Sequence, residues 1–319
     1  MDKKRKLTKN DNDDDDRDKT FDTVTNDNAI SITEPFTTDT TIISARKAPK
    51  NNLPHIYIQP KKSKKRHLWL LPFVNGIMVI MACFVPYTIS VSNGSIYPIW
   101  PLVSDAGAVT PAAGYFSTFL DIIAILTICV SIILSKQIRY YKWELLQRFK
   151  LDRPIDERNF NCLVLSRKII KITSILISVG LFITGNFRSI ENLTGHMIGV
   201  TIFLPSGLIY GFSLICVYLI LDSYGIQSPP TMLIIVMMIS LLSSIFCVVL
   251  TVLSLLKHGS IWQYYNNELR LQWNPTMSGY YLHVLGDVCE WITLLSFGPL
   301  NIIISRRFRM FKRWDCIKF

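Results

Sequence analysis

Charged residues are scarce in this sequence. Only 18% of its 319 residues are Asp, Glu, Lys or Arg, whereas soluble domains average about a quarter. Half of the residues are hydrophobic, and the net charge of +11 comes from Lys and Arg that stand in short blocks beside long uncharged runs. This distribution argues against a soluble enzyme or a nucleic-acid-binding protein. It is typical of a membrane protein with basic cytosolic flanks.

Motifs for catalysis or cofactor binding are also missing. The sequence has no Walker loop, no paired-cysteine zinc site, no Gly-x-Ser-x-Gly and no His-Glu-x-x-His. We therefore expect no enzymatic activity, no cofactor and no bound metal. None of the seven cysteines falls in a predicted non-cytosolic loop, so no structural disulfide is expected. Cys162 and Cys316 lie in basic flanks and are candidates for palmitoylation, although a free thiol is the plainer interpretation.

Six apolar runs are long enough to cross a membrane. Each is near the roughly 20 residues that span about 30 Å of hydrocarbon. The pattern predicts an all-α fold, a polytopic membrane protein with a six-helix transmembrane bundle. The predicted spans are 68–90, 115–135, 169–187, 197–221, 230–256 and 281–304.

The remaining segments divide the chain into three parts. Residues 1–66 hold a basic cluster, an acidic run and a Thr-rich stretch with few large apolar residues, so we predict a disordered cytosolic N-terminal tail. Residues 67–305 form the predicted six-span membrane domain. Residues 306–319 form a basic C-terminal tail.

The distribution of Lys and Arg predicts the orientation. Flank 61–66 has five such residues, loop 136–168 has nine and segment 305–319 has six. The loops on the other face have few: none in 91–114, only Arg188 in 188–196, and only Lys257 and Arg270 in 257–280. Both termini are therefore predicted to be cytosolic.

Two sequons agree with that orientation. Asn93 and Asn192 both fall on the predicted luminal face and are candidates for glycosylation.

The basic flanks are predicted to contact anionic lipids of the inner leaflet. In loop 136–168, Tyr140, Tyr141 and Trp143 are interleaved with basic residues, which favours an amphipathic stretch on the membrane over RNA binding. The same interpretation applies to the basic residues after the last span. These are Arg306, Arg307, Arg309, Lys312 and Arg313.

Polar groups inside the spans are the candidate functional site. His283, Asp287 and Glu290 share one stripe of the sixth helix by their spacing of four and three residues, and Asp121 and His196 are expected near the same luminal half. In one interpretation these residues hydrogen-bond between helices and fix their packing. In the other they line a luminal-facing cavity that binds an ion, a proton or a lipid headgroup.

The first luminal loop is rich in Pro and aromatic residues, and it is predicted either to fold back on the bundle as a rigid cap or to bind a ligand.

Segment 92–107 resembles the first loop of the damage-regulated autophagy modulator (DRAM/Sfk) family. The resemblance extends to Gly185-Asn-Phe187 with His196 to Tyr210, and to Tyr281-Leu-His283 with Glu290-Trp291. Together these matches run in order through residues 68–310.

This resemblance implies a six-helix membrane protein without established catalytic activity. Members of the family lie in lysosomal or other endomembranes and promote autophagy, while a related branch lies at the plasma membrane and affects lipid organisation. We therefore expect a non-enzymatic modulator of autophagy or membrane lipids. The polar residues leave two alternatives open: a small transporter or channel, and a lipid-modifying enzyme that uses acid–base chemistry.

Overall fold

The computed structural model describes residues 67–148 and 156–317, and most of this part of the chain is helical. It contains eight α-helices and two short 3-10 helices, Ile261–Tyr265 and Trp314–Cys316. The α-helices are α1 (Leu70–Ser92), α2 (Val103–Ala106), α3 (Ala112–Arg148), α4 (Glu157–Asn186), α5 (Leu193–Ser223), α6 (Thr231–His258), α7 (Asn267–Gln272) and α8 (Tyr280–Met310). The tail predicted to be disordered, residues 1–66, lies outside the described residues.

Six of these helices are long and apolar enough to cross a membrane: α1, α3, α4, α5, α6 and α8. This finding confirms the predicted six-span, all-α fold. Apart from the groups in its first and last turns, a helix pairs its backbone N–H and C=O groups with one another, so it can cross hydrocarbon, which offers them no hydrogen-bond partners. Pro86, Pro205 and Pro299 lie inside three of the helices. Neighbouring helices make such interruptions tolerable in a bundle.

The predicted loop 136–168 is mostly helical, which corrects the sequence interpretation. Helix α3 continues to Arg148 and α4 begins at Glu157, twelve residues before the predicted third span. Tyr141, Leu145 and Leu163 explain the difference, because all three are buried in the hydrophobic core. The helices keep one apolar face after the surrounding residues have become polar, so a hydropathy run ends before the helix does.

Two hydrophobic clusters fill the bundle. The larger one includes Leu134, Leu214 and Phe308 and lies toward the two chain ends. The other includes Ala124, Leu181 and Trp291 and lies toward the opposite end of the helices. Their residues come from several helices, so each cluster joins spans that are distant in sequence.

Three connecting segments meet on the side of the bundle away from the chain ends, and we call them the cap: residues 93–111, 187–192 and 259–279. The Tyr97 N–H donates to the Leu271 carbonyl at 2.8 Å, and Asn267 Nδ2 donates to the Ile190 carbonyl at 2.7 Å. Because these bonds join all three segments, the cap is one packed layer over the helix ends.

Arg307 is a second correction, because it lies inside the protein rather than on a lipid-facing flank. Its side chain is 5% exposed. Its Nη1 donates to Gln227 Oε1 at 2.6 Å, its Nη2 donates to the Ser228 carbonyl at 3.2 Å, and its guanidinium lies 3.8 Å from the Tyr218 ring centroid. By contrast, Arg306, Arg309, Lys312 and Arg313 are exposed. The rotation of α8 about its axis therefore determines which of these basic residues can reach lipid.

Candidate functional site

The centre of the cap is a buried ion pair between Asp105 of α2 and Arg270 of α7. Arg270 Nη1 lies 2.9 Å from Asp105 Oδ1, and each side chain is 1% exposed. Sequence analysis counted Arg270 only as one of two basic residues in its loop. Nothing in the local sequence joins it to an acidic residue 165 positions earlier, so only the fold reveals the pair.

Hydrogen bonds from all three cap segments surround this pair. Ser189 Oγ donates to Asp105 Oδ1 at 2.9 Å, and Arg270 Nη2 donates to the Ser189 carbonyl at 3.1 Å and to Asn267 Oδ1 at 2.9 Å. The Arg270 guanidinium also lies 5.2 Å from the Tyr264 ring centroid. Burial raises the pKa of the Tyr264 phenol above its usual value, so its hydroxyl stays protonated. Such bonding is what makes a buried ion pair tolerable.

His283 and Asp287 contact each other just beneath the cap, on the first turns of α8. His283 Nε2 lies 3.2 Å from Asp287 Oδ2, and the two side chains are 5% and 0% exposed. Trp273, from the cap segment after α7, stacks on the His283 ring with 4.3 Å between ring centroids. The structure thus brings together two of the five polar residues singled out from the sequence.

Glu290 lies one turn farther along α8 and contacts the first cap segment. Its carboxylate accepts a hydrogen bond from the Val103 N–H at 2.7 Å and lies 3.5 Å from Ser104 Oγ. No Lys, Arg or His forms an ion pair with Glu290 within residues 67–148 and 156–317. Within these ranges the Glu290 carboxyl group is therefore hydrogen-bonded by uncharged donors alone.

The neighbouring residue, Trp291, fixes the first cap segment to the bundle. Its Nε1–H donates to the Pro101 carbonyl at 2.9 Å, and the Trp100 ring packs edge-on with 5.5 Å between centroids. Tyr87 of α1 donates to the Pro98 carbonyl at 2.8 Å, and Ser90 donates to the Ala106 carbonyl at 2.7 Å. The first loop folds back on the helices, as one of its two interpretations predicted.

His196 and Asp121 make contacts separate from this stripe. His196 Nδ1 lies 2.9 Å from the Phe187 carbonyl and 3.1 Å from the Thr184 carbonyl, so Nδ1 carries the proton that both oxygens require. Its Nε2 is buried with no hydrogen-bond partner in the described part of the chain. Asp121 is partly exposed between α3 and α4, where Asn186 Nδ2 donates to its Oδ1 at 3.2 Å.

A cavity of about 560 Å³ lies inside the bundle below the cap. Its wall is mainly apolar, and the few polar groups in it include Glu290, His196 and Ser104 near the cap. Asn75 lies at the deeper end, where its Nδ2 donates to Thr127 Oγ1 at 3.2 Å and to Asn301 Oδ1 at 3.1 Å. Sequence analysis missed these amides because it searched the spans for charged groups. An amide inside an uncharged run is the signal that would have found Asn75.

The described residues contain no group of three or more His, Cys, Asp or Glu side chains arranged to hold a metal ion. The candidate modification sites differ in how far their side chains are exposed to solvent. Asn93 and Asn192 are exposed on the cap side, although Asn192 Oδ1 also accepts from the Gly195 N–H at 2.8 Å. Cys162 is partly buried and Cys316 is exposed, and both lie toward the chain ends. Glycosylation and palmitoylation at these residues remain predictions.

These features define a class: a multi-pass membrane protein whose six spans carry a packed polar cap over an internal cavity. Residues 67–311 match the family model described as the Frag1/DRAM/Sfk1/Cwh43P N-terminal domain, so the chain belongs to this family. The resemblance seen in the sequence is thereby confirmed.

Known relatives cover most of the same region. DNA damage-regulated autophagy modulator protein 2 of Homo sapiens is 30% identical over 246 residues, which are 76% of this chain and 84% of that protein. DNA damage-regulated autophagy modulator protein 1 of Xenopus laevis is 26% identical over 255 residues, 76% of this chain and 94% of that protein. No solved structure matches the chain.

Proposed function

We propose that this protein is a non-enzymatic modulator of autophagy that acts from a lysosomal or other endomembrane through contacts with lipids or with other proteins. The family match across all six spans carries the proposal, because relatives that match over the same region are named autophagy modulators. The plasma membrane is the alternative location, and imaging of a tagged protein decides between the two.

The contacts of the acidic groups support a role without catalysis. Asp105 is paired with Arg270, Asp287 lies against His283, and Glu290 accepts from the Val103 backbone. A general acid or base needs to reach its substrate within hydrogen-bond distance. Two of these three carboxylates are closed off by protein groups, which favours structural roles for them. Contacts of the exposed basic residues with anionic lipids are part of the same proposal.

Autophagic flux in cells that lack the protein is the direct test. Flux is measured as turnover of a lipidated autophagosome marker with and without a lysosomal inhibitor, together with the distribution of membrane lipids. We expect reduced flux, rescue by the wild-type protein and no rescue by Arg270→Met, which leaves Asp105 buried and unpaired. Arg188→Met is the matched control, since Arg188 pairs with Glu191 where the two side chains are 31% and 56% exposed. Unchanged flux and unchanged lipid distribution in cells lacking the protein would contradict the proposal.

A small transporter or channel is the second candidate function. The cavity favours this alternative, and so does Glu290 in its wall, which forms no ion pair within the described residues, since intramembrane acids often mark ion or substrate paths. Purified protein in sealed vesicles provides the test, with a pH-sensitive dye inside and an imposed proton gradient. Flux that depends on the protein and is lost in Glu290→Gln supports transport. If vesicles with the protein have the same proton permeability as protein-free vesicles, proton transport is excluded.

A further inference from the structure

We propose that the cavity in the bundle is a binding site for one single-chain membrane amphiphile whose head group donates hydrogen bonds, either a protonated amine or a hydroxyl. The apolar chain would fill the cavity and the head group would reach Glu290 beneath the cap. Lipid binding and autophagic flux are measured separately, so either proposal can fail while the other stands.

The composition of the wall selects an apolar ligand. Side chains such as Val79, Leu120, Phe203, Leu204 and Phe297 line the cavity, and its volume of about 560 Å³ is in the range of sites that bind small molecules. Burying apolar surface in such a site contributes about 25 cal/mol per Å². A hydrocarbon chain is therefore better suited to this wall than a hydrated ion.

The depth of the cavity fits one lipid chain. Glu290 near the cap and Asn301 at the deeper end are both in the wall, eleven residues apart on α8. At 1.5 Å per residue this separation is about 16 Å, close to half of the roughly 30 Å hydrocarbon core. A chain that enters from one leaflet spans a similar depth.

The opening faces the bilayer between α5 and α6. These two helices contact each other much less than α4 contacts α5 or α6 contacts α8. Met197 of α5 and Val248 and Val252 of α6 line the cavity and are 37%, 61% and 42% exposed. A lipid can therefore enter sideways from the membrane without unfolding the cap.

The polar end of the cavity accepts hydrogen bonds. Glu290 is half-buried, lines the cavity and has no basic partner within the described ranges. His196 adds a second acceptor at the same wall, because its proton lies on Nδ1 and its unprotonated Nε2 has no partner among the described residues. A head group that donates satisfies these groups, whereas a carboxylate or phosphate head group would meet like charge or acceptors.

Photo-crosslinking of the full-length protein in membranes tests the site. The probes are three straight-chain lipids with the same diazirine and alkyne, ending in an amine, an alcohol or a carboxylic acid. We expect at least tenfold more labelling by the amine or the alcohol than by the acid, with the labelled peptides on α5, α6 or α8. Comparison of the amine and the alcohol shows which donor the site prefers.

Matched variants locate the binding. Val248→Trp blocks the opening and is expected to reduce labelling at least fivefold. Val249→Trp is expected to leave labelling unchanged, because Val249 is also exposed, at 47% against 61% for Val248, but does not line the cavity. Glu290→Gln is expected to reduce labelling by the amine more than by the alcohol, and Asp121→Asn, on the outer face, to change neither. Size-exclusion profiles confirm that each variant is folded. Equal labelling of the Val248 and Val249 variants, or equal labelling by the acid probe, would overturn the proposal.

Discussion

Asp105 and Arg270 form a buried ion pair that joins two segments of the cap. Removing both charges from water is costly, and the pair is tolerated because Ser189 and Asn267 supply further hydrogen bonds. Each partner also prevents the other from being buried alone. The loss of one partner is therefore far more harmful than the absence of both.

Arg270→Met tests this dependence. We expect it to lower the free energy of unfolding by about 3–5 kcal/mol, because Asp105 remains buried without its partner. The double variant Asp105→Asn/Arg270→Met is expected to lose clearly less than the sum of the two single variants. Denaturant titrations in mixed micelles, followed by tryptophan fluorescence, measure the free energy of unfolding of Asp105→Asn, Arg270→Met and the double variant.

Arg188→Met is the control at an ion pair that solvent can reach. Its partner Glu191 is exposed on the same cap segment, so the expected change is at most about 1 kcal/mol. If the Asp105→Asn/Arg270→Met variant loses as much free energy of unfolding as the two single variants together, Asp105 and Arg270 do not stabilise each other.

Arg306 and Arg307 show why burial of single residues was hard to predict. Both are arginines in the same basic stretch, yet Arg306 is exposed and Arg307 is packed against Tyr218 and Gln227. The sequence identifies the stretch as basic. Which arginine faces inward depends on the rotation of α8, and packing against α5 and the α5–α6 connection sets that rotation.

At the scale of elements, two glycines determine how closely α4 and α5 pack. A Cβ on Gly180 would lie 2.6 Å from the Phe203 backbone N, and a Cβ on Gly199 would lie 2.6 Å from the Thr184 backbone N. Small residues at facing positions let transmembrane helices approach until their backbones touch. This approach also brings His196 close enough to bond the carbonyls of Thr184 and Phe187.

Gly199→Ala is expected to separate the two helices. The added methyl group meets backbone atoms, which cannot move aside easily, so we expect a loss of about 1–3 kcal/mol in the free energy of unfolding. Thermal unfolding in detergent, monitored by circular dichroism, measures it.

Gly114→Ala is the matched control in α3, where nothing lies within 4 Å of the added Cβ. There the better helix propensity of Ala is expected to leave stability unchanged or raise it by up to about 1 kcal/mol. Equal losses in the two variants would mean that close packing of α4 on α5 is not the cause.

The described residues of the molecule contain six candidate spans, an even number, so both ends of the described chain lie on one side and the cap on the other. The sequence predicts that the cap side is luminal, because few basic residues flank the spans there. The sequon at Asn93, which is exposed at the end of α1, lies on that side.

Protease protection in sealed vesicles tests the orientation. We expect epitope tags at both termini to be digested and a tag inserted after Gly94 to be protected until detergent is added. If Asn93 is reached by the glycosylation machinery, Asn93→Gln also removes a mass shift sensitive to glycosidase. Protection of either terminal tag would contradict the predicted topology, and with it the luminal placement of Glu290 and His283.

The sequence alone determined the number of candidate spans, because hydrocarbon requires about 20 consecutive apolar residues for each crossing and this requirement is local. It also indicated the family, through motifs that run in order through residues 68–310. The i, i+4 spacing likewise places His283 beside Asp287 on one face of α8, whatever packs around them. Only the tertiary structure decided that Arg270 meets Asp105, that Asn75 meets Asn301, and that a cavity remains inside the bundle. These features depend on how distant helices approach and rotate against each other, and that information lies in the packing of many side chains together rather than in any one segment.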